Sequence, residues 1–419
     1  MFLAVFLLVL FLKEIISFYL DIRNLKYALS HKEVPEIFKD IITDEDFKKS
    51  QIYLKDRVIF NLWSKTFDFI FNLIFIFLLY PYIEKIVSSI TSSFILQGLL
   101  FFGIFGLINL IISIPFDLYY IFVIENKYGF NTMTPKIFLL DLIKSIILSI
   151  ILGTPILSLL LYIIKSDPNF WWKFALVIII FEIIMVYIYP ILIAPIFNKF
   201  TPLENEDLRK KIIELLERVG FNVKQVFVMD ASKRTRKQNA YFTGIGKSKR
   251  VVLYDTLLSY PQEEIVAIFA HELGHYKKRH ITILMLSSII FYVFYIYLTF
   301  IVFKSAPLSK YFGVQKEFTL LTYAFIFASS FFYFLNPLIN FLSRKMEYSA
   351  DRFSAELIGT PYPLISALIR LVKENLSNLY PDPLYRTWYY SHPTPSERIY
   401  HLLTLEKEVK KDENNNSPN

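Results

Sequence analysis

Seven long apolar stretches constrain the fold of this 419-residue chain more than any other feature. A bilayer has a hydrocarbon core of roughly 30 Å, and a helix of about 20 apolar residues crosses it. The first stretch contains Lys13 and Glu14 and lacks a basic start and a small-residue cleavage site, which favours an uncleaved anchor over a signal peptide. The sequence therefore predicts a polytopic membrane protein with seven transmembrane helices. The stretches are residues 1–20, 58–83, 93–124, 137–163, 171–198, 281–303 and 318–342.

The composition excludes several other classes of protein. Hydrophobic residues make up 54% of the chain and the mean hydropathy is +0.43, which a soluble domain rarely reaches. The chain has no cysteine, which excludes a disulfide scaffold, thiolate metal sites and cysteine nucleophiles. A lipid bilayer is therefore the expected environment, and any chemistry must come from other side chains.

The net charge of +8 follows membrane sidedness. The loop 21–57 contains eight Lys and Arg residues and the loop 199–280 contains sixteen, whereas 84–92 and 164–170 contain one each. Because cytoplasmic loops are enriched in Lys and Arg, these two basic loops are expected in the cytoplasm and the N-terminus on the other side. The basic residues form no nucleic-acid-binding module, so we expect no nucleic-acid partner.

The pattern divides the chain into five regions and predicts a mostly α fold with a small sheet. Within the second region, a helix is expected over 204–219, strands over 225–229, 239–245 and 250–254, and a helix over 261–279. The regions are 1–198 with five transmembrane helices, 199–280 as a cytoplasmic segment, 281–342 as a transmembrane hairpin, 343–409 as a cytoplasmic helical segment and 410–419 as a disordered tail.

The motif His271-Glu272-Leu273-Gly274-His275 carries the chemistry. Spacing of i and i+4 places both imidazoles on one face of a helix, one turn apart, where they can bind a single metal ion. Glu272 follows the first histidine and can accept a proton from water at the open metal position. The sequence therefore predicts a metallopeptidase helix in the second cytoplasmic loop.

A catalytic zinc site needs a third protein ligand. Lys278 and Ile281 occupy the positions at which a metzincin would have glycine and histidine, so a downstream glutamate is expected instead. Glu347 follows two further membrane crossings, which return the chain to the same face, and Asp351 one turn later could hydrogen-bond a ligand histidine. Glu356 is the alternative ligand.

Further motifs resemble one family of membrane proteases. The pattern E-x-x-A-D at 347–351 is followed by Ser-His-Pro-Thr-Pro-Ser-Glu-Arg-Ile at 391–399. Tyr-Gly-Phe-Asn at 128–131, Ile-Ala-Pro-Ile-Phe-Asn-Lys-Phe-Thr-Pro-Leu at 193–203 and Asn-Ala-Tyr-Phe-Thr-Gly at 239–244 precede them. In this order, over about residues 20–405, they resemble the type-I CAAX prenyl protease family of integral-membrane zinc metallopeptidases.

The resemblance implies roles for individual residues. One Zn²⁺ per chain would be bound by His271, His275 and Glu347, with Glu272 as general base. His392 would stabilise the tetrahedral intermediate, and Asn239 on an edge strand would hold an extended peptide. Arg398 could hold His392 in place. His280 either supports a metal ligand from behind or caps the C-terminus of the helix 261–279. For His392 and Asn239 the alternatives are a turn histidine and a strand-start residue.

The resemblance also implies a seven-helix barrel around a water-filled chamber. Charged residues within the predicted spans fit that picture. They are Asp68, Asp117, Asp141, Lys144 and Glu182. The run Lys233-Arg234-Thr235-Arg236-Lys237 before Asn239 departs from the family pattern and is a candidate influence on peptide preference.

The function expected is a membrane zinc endopeptidase that cleaves a peptide or protein substrate near the membrane by attack of zinc-activated water. A membrane quality-control metalloprotease is the alternative enzyme, and a transporter with a vestigial metal site is the alternative from another class. Whether the substrate is prenylated stays open, as does the oligomeric state. The Ile-, Phe-, Lys- and Asn-rich composition favours a prokaryotic inner membrane over the endoplasmic reticulum.

Overall fold

The structure is a computed structural model that describes residues 1–220, 226–243 and 250–415, and the side chains of all of these except 242, 243 and 408–415. Seven helices in these ranges are long and apolar enough to cross a membrane, which confirms the predicted number of spans. They are Phe2–Ser30, Asp44–Ile90, Phe94–Glu125, Pro135–Ser166, Trp171–Phe197, His280–Ser305 and Glu317–Ile358.

The spans are built from several helical pieces. Three of them contain a π-helical segment: Phe75–Leu79 and Tyr189–Ile193 each join two α-helical pieces, and Tyr120–Glu125 ends its span. The helices are α1 Phe2–Ser30, α2 Asp44–Ile74, α3 Tyr80–Ile90, α4 Phe94–Tyr119, α5 Pro135–Ser166, α6 Trp171–Ile188 and α7 Ala194–Phe197.

Three spans extend well beyond their predicted apolar stretch: the first ends at Ser30, the second begins at Asp44 and the last ends at Ile358. Helix α2 begins at Asp44, fourteen residues before the predicted start at 58, because Thr43 and Asp46 form a capping box. Hydropathy detects only the apolar part of such a helix, so its polar first turns were not predicted. In the first span, Lys13 and Glu14 pair with each other at 2.8 Å, which offsets their charges inside an apolar helix.

The segments outside the membrane contain both helices and strands. Their helices are α8 Glu206–Arg218 and α9 Gln262–Lys277, and the chain then continues through α10 His280–Ser305, α11 Leu308–Phe312, α12 Glu317–Phe332, α13 Asn336–Ile358, α14 Tyr362–Glu374, α15 Pro383–Tyr389 and α16 Pro395–Asn415. A 3₁₀ turn over Tyr333–Leu335 connects α12 to α13, so the last span continues without a break into the segment that contains Glu347.

The described strands form one four-stranded sheet with the order β1-β2-β4-β3. β2 and β4 pair in parallel, whereas β1 with β2 and β3 with β4 are antiparallel. Strands β2 to β4 were predicted; β1 was not, because three residues within a proline-rich motif give no alternation signal. Gln225, Gly244 and Ile245 of the predicted strands lie outside the described residues. The strands are β1 Phe200–Pro202, β2 Val226–Met229, β3 Ala240–Thr243 and β4 Arg250–Tyr254.

Two apolar clusters anchor α9. One face packs on the sheet and on α8 through Ile212, Leu253 and Phe269, all buried. Ala267 belongs to a second cluster, which joins the loop 31–43 through Phe38 to α14 and α16. Helix α9 is therefore held on two sides, which fixes the position of the side chains that it presents.

The C-terminal end differs from the predicted disordered tail. Helix α16 continues to Asn415, so 410–415 are helical, and 416–419 lie outside the described residues. Residues 406–411 include no proline or glycine, a composition compatible with continuing a helix.

Three of the five charged residues within the predicted spans form hydrogen bonds with other parts of the protein. Asp141 accepts two hydrogen bonds from the Arg234 guanidinium, at 2.8 and 3.0 Å. Lys144 donates to the carbonyl of Ile196 at 2.9 Å, and Glu182 accepts from Ser288 at 2.8 Å. Arg234, from the unusually basic run before Asn239, is thus used in tying the soluble segment to α5.

Candidate metal centre and active site

Helix α9 presents two imidazoles at one point. It begins after Pro261, with Glu263 and Glu264 in the first turn, where carboxylates suit the positive end of the helix dipole. The spacing of four residues brings Nε2 of His271 and Nε2 of His275 to 3.2 Å. His271 is buried and His275 is half-buried, so the pair lies at the edge of the protein interior.

Glu347 on α13 lies opposite this pair. Its Oε1 is 3.2 Å from Nε2 of His275, and its Oε2 is 3.4 Å from Nε2 of His271. Ligands that bind one zinc ion tetrahedrally at about 2.0–2.1 Å are separated by about 3.3 Å. Within the described residues, these three side chains are the group that could hold a metal ion. Glu356, the alternative ligand, is exposed on the same helix.

The donor set fits a dication in its hydrogen bonding and its charge. Oε2 of Glu347 is buried and has no hydrogen-bond partner, an arrangement that is costly unless a cation binds it. Burial lowers the pKa of His271 and Arg398 lowers it further, but Asp351 and Glu347 together raise it to about 9. The two carboxylates therefore stabilise positive charge at this position, which a metal ion would supply.

Asp351 orients the first histidine. Its Oδ1 is 2.7 Å from Nδ1 of His271, so Nδ1–H donates to Asp351 and the Nε2 lone pair faces Glu347. Arg398 donates to both oxygens of Asp351, at 2.8 and 2.5 Å. The sequence predicted that Asp351 would hydrogen-bond a ligand histidine and that Arg398 would hold His392 in place. In the structure, Arg398 contacts Asp351 and His271, and no hydrogen bond joins it to His392 among the described side chains.

His280 lies behind the second histidine. Its Nδ1 is 3.0 Å from Nδ1 of His275, and its Nε2 is 3.0 Å from the hydroxyl of Ser349. The side chain is buried, so it does not end α9 as a solvent-exposed cap. His280 therefore lies where it can fix the orientation of His275, in the manner in which Asp351 fixes that of His271.

Glu272 is poised to exchange a proton. Burial raises the pKa of its carboxyl group above the ordinary value, and the neighbouring His271 and His275 oppose that shift. A carboxyl group whose pKa is raised towards neutrality is a better general base than an exposed glutamate. Its position next to the first histidine on α9 follows from the sequence alone.

The segment 391–398 brings His392 to the same point. Its Nε2 is 3.3 Å from Oε1 of Glu347, and Nδ1 is 2.9 Å from the hydroxyl of Ser391. The side chain is 63% exposed, so it borders the metal site from the open side. Partial desolvation of the ring lowers its pKa, against the effect of Glu347.

Asn239 lies at the open edge of the sheet. Strand β3, which begins at the next residue, pairs only with β4 among the described strands, so its other edge is free. The carbonyl of Asn239 accepts a hydrogen bond from the Tyr254 amide at 3.0 Å, and the Asn239 side chain is exposed. The free edge provides main-chain donors and acceptors of the kind that an added peptide strand uses.

One residue of the site was missed in the sequence. A Cβ at Gly274 would lie 3.0 Å from Cα and 3.1 Å from the carbonyl oxygen of Ala350. The missing side chain lets α9 and α13 approach closely enough for Glu347 to reach both histidines, and Ser354 donates to the Ala267 carbonyl at 2.9 Å across the same contact. Glycine within a helix that packs closely on another was the available signal.

Comparison with known proteins identifies the family. Residues 24–199 match the CAAX prenyl protease N-terminal region, described as five membrane helices, and residues 202–406 match peptidase family M48. The chain belongs to the CAAX prenyl proteases of peptidase family M48. The second region contains every proposed metal ligand.

Individual relatives agree over nearly the whole length. CAAX prenyl protease 1 of Saccharomyces cerevisiae is 35% identical over 408 residues, 88% of each chain. The homologue from Dictyostelium discoideum is 37% identical and covers 92% of this chain and 93% of its own. The crystal structure of S. mikatae Ste24p superposes with a TM-score of 0.88 at 33% identity, covering 95% of this chain and 98% of that one. The protein is therefore a multi-pass membrane metallopeptidase.

Proposed function

We propose that this protein is a zinc endopeptidase that removes the C-terminal residues of prenylated proteins. The observation that carries the proposal is the convergence of His271, His275 and Glu347 at separations of 3.2–3.4 Å, with Glu272 beside them. Two histidines and a glutamate are a common ligand set of catalytic zinc. The names of the relatives supply the substrate class.

Each residue of the site would have its own role in the reaction. Bound at the three ligands, zinc would act as a Lewis acid towards water and the scissile carbonyl. The Glu272 carboxylate would take a proton from the attacking water and pass it to the leaving amine. Nε2–H of His392 would donate to the developing oxyanion, while the edge of β3 beside Asn239 would hold the substrate as an added strand.

A hollow arrangement of the spans is part of the proposal. In an apolar stretch of 18 residues in each of α4 and α10, only 6% of residues are buried within the protein. A helix in a close-packed bundle would bury a larger share of its surface, so this loose packing supports a chamber between the spans. We further propose that the metal site faces the cytoplasm, because His271 and His275 lie in the loop 199–280, which contains sixteen of the 45 Lys and Arg residues.

The choice of membrane rests on weaker arguments. Composition favoured a prokaryotic inner membrane, but the relatives described above come from eukaryotes. We therefore favour the alternative, the endoplasmic reticulum, as the site of action. Fluorescence microscopy of the tagged protein in a eukaryotic host would test this choice.

Mass spectrometry of cleavage products tests the function. The substrate is a peptide that ends in a prenylated cysteine and three further residues, and the control is the same peptide without the prenyl group. We expect wild-type protein to release the last three residues from the prenylated peptide. Glu272→Gln should retain its metal and release almost none. Equal cleavage of both peptides at scattered internal positions would instead support a quality-control protease.

A further inference from the structure

A group of buried and half-buried polar side chains lies beside the segment that leads into β3. We call Tyr53, Arg57, Glu125 and Lys237 the Tyr53 cluster. The Tyr53 hydroxyl donates to Oε1 of Glu125 at 2.5 Å, and Nζ of Lys237 is 2.6 Å from Oε2 of the same carboxylate. Tyr53 and Glu125 are buried. Glu125 therefore uses both oxygens on partners other than Arg57.

Arg57 is the cation of this cluster that forms no ion pair among the described residues. Its guanidinium lies over the Tyr53 ring, 5.2 Å from the centroid. Its Nε is buried and has no hydrogen-bond partner, and no carboxylate oxygen of the described residues forms an ion pair with it. A buried N–H of a charged group without an acceptor is costly, so the position is suited to an external anion. Two cations and one carboxylate leave the cluster with a net positive charge.

The cluster lies near two segments that would flank the substrate, the one before Asn239 and the one before His392. Lys237 is two residues before Asn239, and the Thr256 hydroxyl donates to its carbonyl at 2.9 Å, which holds that segment beside the sheet. On the other side, the charge of Arg57 lowers the pKa of Tyr390, against the larger effect of burial. Tyr390 is two residues before His392, so Arg57 is near both segments.

The direction of an added strand determines which part of a substrate reaches the cluster. A peptide that pairs antiparallel with β3 runs opposite to it, so the residues after the scissile bond lie beside the chain that precedes Asn239. Lys237 lies about 7 Å before Asn239 along an extended chain, and three substrate residues span about 10 Å. The substrate's C-terminus would thus reach the net positive charge.

We propose that Arg57 binds the C-terminal carboxylate of the substrate and so limits cleavage to peptide bonds close to a free C-terminus. This inference rests on the proposed function, because it requires a peptide cleaved three residues from its end. The Arg57 guanidinium offers a planar pair of donors that match a carboxylate. Lys237, already paired with Glu125, contributes charge and holds Tyr53 in place.

Two peptides test the proposal, one with a free C-terminal carboxylate and the other with a C-terminal amide. With wild-type protein, we expect KM for the amide to be roughly 10- to 100-fold higher, the range for one lost hydrogen-bonded contact with a charged group. Arg57→Gln should raise KM for the acid by a similar factor and leave the amide unchanged. Arg57→Lys should recover part of the loss for the acid.

The outcomes separate this inference from the proposed function. If wild-type protein cleaves neither peptide, the proposed function is wrong. If it cleaves both with the same KM, the carboxylate site is wrong, and an anionic lipid headgroup becomes the better ligand for Arg57. Lys55→Gln removes an exposed cation two residues away and should change neither KM. Equal losses on both peptides in Arg57→Gln, at normal metal content, would assign Arg57 a structural role.

Discussion

At the scale of single residues, the metal site depends on what lies behind each ligand. Asp351 accepts Nδ1–H of His271 at 2.7 Å, which leaves Nε2 free to bind. Arg398 holds Asp351 through two hydrogen bonds, and burial lowers the pKa of Arg398 less than its carboxylate partners raise it. The guanidinium therefore stays charged, and the ligand histidine keeps one tautomer.

The exposed imidazole of His392 is the proposed oxyanion donor. His392→Ala should lower kcat by roughly 10²–10³-fold, the typical loss for one such donor, with little change in KM. Metal content should be unchanged, because three other side chains form the ligand set. Kinetics, metal content and melting temperature measured on one preparation check this. A normal kcat with a lower melting temperature would remove His392 from the mechanism, and lost metal would make it a ligand.

The site residues that could be predicted from the sequence depend on helical spacing or on membrane topology. His271, Glu272 and His275 follow from helical spacing, and Glu347 from an even number of membrane crossings. The contacts of Arg398 could not be predicted, because residues far apart in sequence meet only through the packing of α16 on α13. The same limit applies to Arg57, whose neighbours come from three separate segments.

At the scale of elements, the close contact of α9 with α13 sets the geometry of the ligands. The apolar periodicity predicted α9 to within two residues at each end, but it contained no information about the distance between the two helices. That distance depends on Gly274, where a side chain would meet the backbone of Ala350. Backbone cannot move aside as a flexible side chain can, so the helices would have to separate.

Gly274→Ala should therefore weaken metal binding and lower stability. Overpacking of this kind costs about 1–3 kcal/mol, which exceeds the gain of at most about 1 kcal/mol from alanine in a helix. Chelator competition and thermal unfolding measure the two effects. Gly103→Ala in α4 is the matched control, because its Cβ would have no atom within 4 Å. Unchanged metal affinity in Gly274→Ala would show that the helices tolerate a wider spacing.

At the scale of the whole molecule, the spans and the soluble segments form one catalytic unit. The ligands come from α9 before the last transmembrane hairpin and from α13 after it, so the hairpin must fold back for the site to exist. Arg234 and Asp141 join the segment that follows the fifth span to α5, and the loop 31–43 packs on α14. Hydropathy predicted the seven spans, whereas the polar extensions of the helices and strand β1 required the three-dimensional packing.

The zinc content of matched glutamate variants tests the central claim most directly. Wild-type protein should contain about one zinc ion per chain, as one His-His-Glu site predicts. Glu347→Ala should lose zinc as severely as His271→Ala, because either substitution leaves two protein ligands. Glu356→Ala, an identical substitution at an exposed position on the same helix, should retain the full content. Stoichiometric zinc in Glu347→Ala, together with its loss in Glu356→Ala, would contradict the assignment of the site.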